Sequence, residues 1–204
     1  AENDIENVGY PLLNISSVYR YLKQYELARE YGERAKDALQ KAGNMNGVGT
    51  AQYRLALILL DEGKYEEAIQ FLFDSKAIFS ETQNQYMVTL TNQALGTCYI
   101  NTGDVDKASG FYHEALTNAE KMGDKVVLGT MFQNIGTEYF AKGNNKQALE
   151  YLQKSKLIFS GLNDMHTLKE IASNLVELYA KLNQPDSVGA YLKLFRQLSD
   201  SLYN

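Results

Sequence analysis

His113, His166 and Cys98 have the widest chemical repertoire in this chain, and their placement asks for little chemistry. The two histidines lie 53 residues apart. Neither has a cysteine or a second histidine at the spacing a zinc site needs, so both read as surface residues. Cys98 is the single cysteine and has no neighbouring base in sequence, which makes it a buried inert thiol rather than a nucleophile. One cysteine cannot form an intrachain disulfide, so redox arguments leave the compartment open. Gly43, Gly47 and Gly49 are spaced like a phosphate-binding loop, but no lysine follows them and no strand precedes them. A mobile turn is expected there. Carboxylates such as Asp61, Glu62, Glu66 and Glu67 flank turns or sit on polar faces, and nothing singles out an acid–base pair. These residues imply no catalytic group, no cofactor and no metal ligand.

What must position side chains here is a repeat. Leu95-Gly96, Tyr99, Gly103, Ala108, Phe111-Tyr112 and Ala115 return 40 residues earlier as Leu55-Ala56, Leu59, Gly63, Ala68, Phe71-Leu72 and Ser75. They return 40 residues later as Ile135-Gly136, Tyr139, Gly143, Ala148, Tyr151-Leu152 and Ser155. Outer copies run through Ile15-Ser16, Tyr19, Ala28 and Tyr31, and through Leu175-Val176, Tyr179, Val188 and Tyr191. A fixed period in this range marks a stacked array. Leu95 and Tyr99 are four apart, as are Ala108 and Tyr112, so each pair shares one face of a helix. The intervening glycine ends the first helix, because it adopts the left-handed cap at least cost. The small residues Ser16, Ala56, Gly96 and Gly136 mark close helix–helix approach. Helices are expected over 10–22, 25–41, 47–60, 65–79, 85–101, 105–121, 125–141, 146–159, 167–181 and 186–202, with Pro11 in the first turn of the first. A weaker likeness at a shift of 80 links Ala77-Ile78-Phe79-Ser80 to Leu157-Ile158-Phe159-Ser160 and Gly49-Thr50 to Gly129-Thr130. The aromatic columns Tyr31, Phe71, Phe111, Tyr151, Tyr191 and Tyr19, Tyr99, Tyr139, Tyr179 are expected to pack one repeat against the next.

The motif Leu95-Gly96-x-x-Tyr99, Gly103, Ala108, Ala115 resembles the tetratricopeptide repeat family. The family's first aromatic is absent, its places held by Leu12, Gln52, Asn92, Phe132 and Ala172, and so is the late proline. The period of 40 exceeds the family's, which implies helices longer by most of a turn. The resemblance implies an all-α, right-handed α-solenoid of five antiparallel helix pairs. This would be a single domain over 1–204 with repeats at roughly 8–44, 45–83, 84–123, 124–163 and 164–204.

The net charge of −5 speaks against nucleic acid, which wants basic stripes. No apolar run approaches the length of a membrane span, so direct insertion by this segment is not expected. In the family, the first helix of each pair lines a concave face. Carried over by position, that face presents Asn14, Tyr53, Arg54, Gln93, Thr97, Gln133, Asn134, Thr137 and Asn174, with Leu13, Ser17, Arg20, Ile100 and Phe140 in adjoining columns. Amide side chains offer both a donor and an acceptor, which suits a peptide backbone held in extended form. The set does not match the basic residues with which related co-chaperone domains hold a C-terminal carboxylate. The expected function is a non-catalytic scaffold that binds a protein or peptide segment in the groove. The alternative is a self-assembly module forming a homo-oligomer. The last helix resembles those of arrays in bacterial sensor and regulatory proteins, which implies a cell-envelope setting, with the cytoplasm as the alternative. Its apolar stripe, Leu192, Phe195, Leu198 and Leu202 with Tyr203 beside it, leads to the expectation that the natural chain continues past Asn204 or that this end pairs with another molecule, for instance as a homodimer.

Overall fold

The computed structural model describes residues 2–203, with side chains described for residues 8–202. The described residues form ten α-helices and no strand. In order these are α1 (Glu2–Tyr21), α2 (Tyr25–Lys41), α3 (Met45–Asp61), α4 (Tyr65–Glu81), α5 (Gln85–Asn101), α6 (Val105–Met122), α7 (Lys125–Ala141), α8 (Asn145–Leu162), α9 (Met165–Lys181) and α10 (Pro185–Tyr203). The expected boundaries hold to within a few residues everywhere except at the start. There α1 runs through Pro11 instead of beginning near it. Proline removes the N–H bond to the residue four back and its ring crowds that carbonyl, a local cost that a helix can accommodate with a bend.

A shorter period than the expected one governs the turns. Left-handed residues occur at Lys23, Gly43, Gly63, Gln83, Gly103, Gly123, Gly143, Asn163 and Asn183, one at every helix junction and 20 residues apart. At Gly63 the N–H bonds back to Leu60 O, and the next N–H, of Lys64, reaches Leu59 O at 2.9 Å. That is the paired closure of a Schellman turn, and the residue that completes it also caps the next helix. Turns into the odd-numbered helices use that position well. Asn44, Asn84, Asp124 and Asp164 each accept a backbone N–H of the following helix in the side chain. Turns into the even-numbered helices hold Gln24, Lys64 and Asn144 there, without such a bond. Asp104 is different, accepting Lys107 N–H at 3.1 Å.

The helices group into two compact units, residues 1–115 and 116–204. In the first, α1 packs on α2, α2 on α3, α3 on α4 and α4 on α5. Its core joins Leu13, Ala35, Leu39, Val48 and Ala51 to Ala28, Leu55 and Ile58, and then to Leu59, Ala68, Leu72, Ala94, Leu95 and Cys98. Val48, Ala51, Leu55 and Ile58 recur at three, four and three residues, the stripe a helix buries. Ser16 Oγ donates to Ala28 O at 2.7 Å and Ser75 Oγ donates to Gly49 O at 3.0 Å, so buried hydroxyls clasp neighbouring helices. Gly96 lies so close to Tyr112 that a Cβ there would run into the ring.

In the second unit α7 packs on α8, α8 on α9 and α9 on α10. Gly136 lies against Leu152, and a Cβ at this position would stand only 2.9 Å from the leucine side chain, so both expected close approaches are real. Ser155 Oγ donates to Gly129 O at 2.8 Å, the counterpart of Ser75 and Gly49. Gly49 abuts Ile78 and Phe79, and Gly129 abuts Ile158 and Phe159. The likeness at a shift of 80 is therefore a packing solution, a bare helix backbone receiving an Ile-Phe pair, repeated at the same register in each unit.

Two expectations change. Gly47 and Gly49 are not in a mobile turn but buried within α3, close to Leu39 and Phe79. The aromatic columns pair inside repeats: Tyr19 stacks on Tyr31, Tyr99 on Phe111, Tyr139 on Tyr151 and Tyr179 on Tyr191, at 5.3–5.7 Å between centroids. Twelve residues separate each pair, enough to cross the turn and come back alongside. Packing toward the next repeat also occurs, as in Phe73 edge-on to Phe111 at 5.9 Å. On α10, Leu192 is exposed while Phe195, Leu198 and Leu202 are half-buried. The Tyr203 side chain lies outside the described residues. Cys98 is fully buried, and His113 and His166 are exposed.

Candidate functional site

The odd-numbered helices carry the residues singled out for ligand contact. In the first unit, α1, α3 and α5 lie side by side, and charged side chains bind α1 to α3. Arg20 Nε donates to Asp61 Oδ2 at 2.7 Å and its Nη2 to Asp61 Oδ1 at 3.2 Å, a two-pronged bridge from α1 to α3. Arg54 Nη1 donates to Leu13 O and Ser17 Oγ, both at 2.9 Å, and lies 3.4 Å from Asn14 Oδ1. Burial lowers the Arg54 pKa. The Tyr53 hydroxyl is pushed up to about 12 by burial, against the opposing charge of Arg20 and with a smaller push from Tyr86. Next to the Arg20–Asp61 bridge, Ser17, Tyr21, Lys23 and Tyr25 complete a recess of about 630 Å³. Gln93 and Thr97 on α5 are half-buried, and Gln93 makes no side-chain hydrogen bond among the described residues.

In the second unit the same face, on α7 and α9, is held far less. Gln133 Nε2 donates to Glu170 Oε2 at 3.3 Å, and Thr137 Oγ1 donates within its own helix to Asn134 O at 2.8 Å. Asn134 and Asn174 occupy equivalent places on α7 and α9. Both are half-buried, and neither side-chain amide is hydrogen-bonded among the described residues. Lys181 Nζ sits 4.2 Å above the Phe140 ring at the end of this face.

Each predicted residue therefore has a place. Asn14 and Arg54 come together as part of a helix clip. Tyr53, Gln93 and Thr97 stand on the same face of the first unit, and Gln133, Asn134, Thr137 and Asn174 on that of the second. Two residues of the adjoining columns do not reach the surface: Leu13 is 0% exposed and Ile100 2% exposed, both in the core. Sequence reasoning missed the ion pairs. Asp61 and Glu62 have the sequence context of solvated carboxylates, yet Asp61 holds Arg20 and Glu62 holds Arg29. Burial works to raise the Glu62 pKa, but hydrogen bonds from Arg29 and Lys64 keep it below the usual carboxylate range. The available signal was opposite charge about one repeat apart, as in Arg20 and Asp61 or Lys76 and Glu114.

The repeated Schellman turns, the small-residue contacts and the 40-residue register agree with a family match. The tetratricopeptide repeat family model matches residues 9–81 and 86–159. The chain belongs to the tetratricopeptide repeat family. Among curated proteins, this tetratricopeptide array is 28% identical over 166 residues to response regulator aspartate phosphatase I of Bacillus subtilis (strain 168), covering 80% of this chain and 41% of that one. The array thus spans less than half the length of the curated relatives it matches. Two solved structures share the fold at low identity. One is the Rap conjugation gene regulator of plasmid pLS20 in complex with the Phr* peptide, with a TM-score of 0.75 and 17% identity over 98% of this chain and 55% of that one. The other is a Rap protein complexed with competence and sporulation factor, with a TM-score of 0.69 and 15% identity over 98% of this chain and 65% of that one. The fold is accordingly that of the all-α tetratricopeptide solenoids, and such arrays serve as binding scaffolds.

Proposed function

We propose that the array binds an extended peptide or protein segment along the face of α7 and α9 and takes no part in bond chemistry. The observation that carries this is the pair Asn134 and Asn174. Two half-buried amides recur one repeat apart on adjacent helices, with no side-chain hydrogen bond to donor or acceptor among the described residues. A strand-like backbone offers alternating N–H and C=O groups that such amides can take. Leaving them unpaired once they are covered costs about 1–3 kcal/mol each. Two structural relatives are complexes, one with the Phr* peptide and one with competence and sporulation factor, which supports a ligand of this class. The phosphatase name of the Bacillus relative belongs to a protein of which this chain covers 41%, and that activity is not carried to this segment.

Panning a phage-displayed library of random hexapeptides against the whole chain tests the reading. Selected peptides should bind saturably and lose most of their affinity for the double variant Asn134→Ala, Asn174→Ala, whose circular dichroism and melting should match the parent. Selected peptides that bind parent and double variant equally would remove the assignment.

A further inference from the structure

A second surface lies on the even-numbered helices of the first unit. Glu26, Arg29, Glu30 and Glu33 of α2 and Glu67 of α4 rim a cleft of about 420 Å³, with Leu55 and Leu59 of α3 and Phe71 of α4 as its floor. The volume is in the range of small-ligand pockets, about 300–1,000 Å³. We propose that this cleft receives a lysine or arginine side chain of a partner protein, independently of the groove reading above.

The charge argument starts from the rim. Arg29 is engaged by Glu26 and Glu62. Glu30 meets Arg34 only at 3.4 Å, between side chains that are both more than half exposed, and such exposed pairs contribute little. Glu33 pairs with Lys36 along its own helix. Glu67 has no ion-pair partner among the described residues. The rim therefore carries an excess of negative charge over a floor of two leucines and a phenylalanine ring. A long basic side chain matches both parts: its methylene stem covers apolar floor while its head reaches the carboxylates, and the Phe71 face adds an attraction for a cation.

The same unit shows what fills such a cleft when the chain fills it itself. Forty residues on, between α4 and α6, the rim positions read Glu66, Ile69, Gln70, Phe73 and Lys107, over Leu95, Tyr99 and Phe111. There Phe73, in the place of Glu33, lies edge-on to Phe111 at 5.9 Å. Lys107, in the place of Glu67, puts its Nζ 5.1 Å above the Tyr99 ring. Lys76 adds a second ammonium 5.2 Å above Phe111. Over the α4/α6 cleft the chain thus sets its own Phe73 ring and the ammonium of Lys107, whose side chain is 61% exposed and also pairs with Asp104. The α2/α4 cleft replaces the internal lysine by a glutamate and the internal phenylalanine by another, so it stays open and wants the cation from outside.

The test uses Nα-acetyl-lysine methylamide, with Nα-acetyl-norleucine methylamide as the uncharged control, titrated into the ¹⁵N-labelled chain and read by amide shifts. The lysine probe should give saturable shifts around Glu30, Glu33, Glu67 and Phe71, and the norleucine probe should not. Glu67→Lys, which copies position 107, should abolish the response while melting stays unchanged. Glu67→Gln should weaken it several-fold if charge is what binds. Absence of saturable shifts at these residues, equal response to norleucine, or a response that survives Glu67→Lys would each overturn the proposal.

Discussion

The face of α1, α3 and α5 and the face of α7 and α9 are drawn from the same columns of one repeat, yet they use them differently. In the first unit the column that begins at Asn14 puts Arg54 next to it, and Arg54 directs its hydrogen bonds to the backbone and hydroxyl of α1. In the second unit the same column holds Asn134 and Asn174, whose amides make no bond among the described residues. A guanidinium is long and carries a fixed fork of donors, so it reaches across to the neighbouring helix. An asparagine is too short for that and keeps its donors on its own surface. One register can therefore yield either a structural clip or a free recognition group, decided by side-chain reach.

The strongest way to break the comparison is through the contacts both units share. Gly96→Leu and Gly136→Leu should each destabilise by about 1–3 kcal/mol or more, because overpacking forces backbone and rotamer shifts. Gly96 should be the worse, since its first added atom already collides with the Tyr112 ring, a tighter approach than that of Gly136 to Leu152. Urea unfolding of the two variants checks the order, and an unchanged melt in either would contradict the helix register. The next effect separates the faces. Arg54→Ala should cost about 1.5–3 kcal/mol, the range for hydrogen bonds to a charged group, visible as a lower urea midpoint and faster amide exchange in α1. If Arg54→Ala is neutral, the first unit is not clipped and the contrast disappears.

A smaller effect comes from a cap in the second unit. Asp164 accepts Thr167 N–H at 3.1 Å and Thr167 Oγ1–H at 2.8 Å, and these bonds hold its pKa below the usual carboxylate range. Because the folded value is depressed, the stabilisation is fully present above the ordinary carboxylate pKa and is lost as pH falls through the depressed one. Asp164→Ala should cost about 1 kcal/mol at neutral pH, shrinking toward zero in acid. A cost that does not shrink on acidification would show that the carboxylate charge is not responsible. The smallest change in stability is expected where binding is proposed. Asn134→Ala and Asn174→Ala should each stay within about 0.5 kcal/mol of the parent in a thermal melt, whereas a loss comparable to that of Arg54→Ala would make them structural and erase the difference between the faces.

Much of the fold was legible because a repeat states its own rule five times. Leu55, Leu95, Ile135 and Leu175 fall 40 apart and are all buried, whereas their first-copy counterpart Ile15 is exposed, and Gly96 and Gly136 announced the close approaches that the helices then make. The family followed from the same positions. Less visible was the 20-residue rhythm of the turns, since Lys23, Gln83, Asn163 and Asn183 adopt the left-handed conformation without being glycine. Residue type is a weak guide where the paired backbone hydrogen bonds of the turn offset the cost of the left-handed conformation.

The sequence by itself determined most of the inward-facing positions and nearly all of the helix ends, because periodicity and turn chemistry are local. Only the tertiary structure decided what the residues do once there. Asp61 became a partner of Arg20, Arg54 a clip, Gly49 the seat of Phe79 and Tyr31 a stacking partner of Tyr19, because each role depends on a neighbour brought in from 12 to 41 residues away. The same holds for the acidic cleft between α2 and α4, whose residues look like ordinary solvated charge until Leu55, Leu59 and Phe71 are placed beneath them.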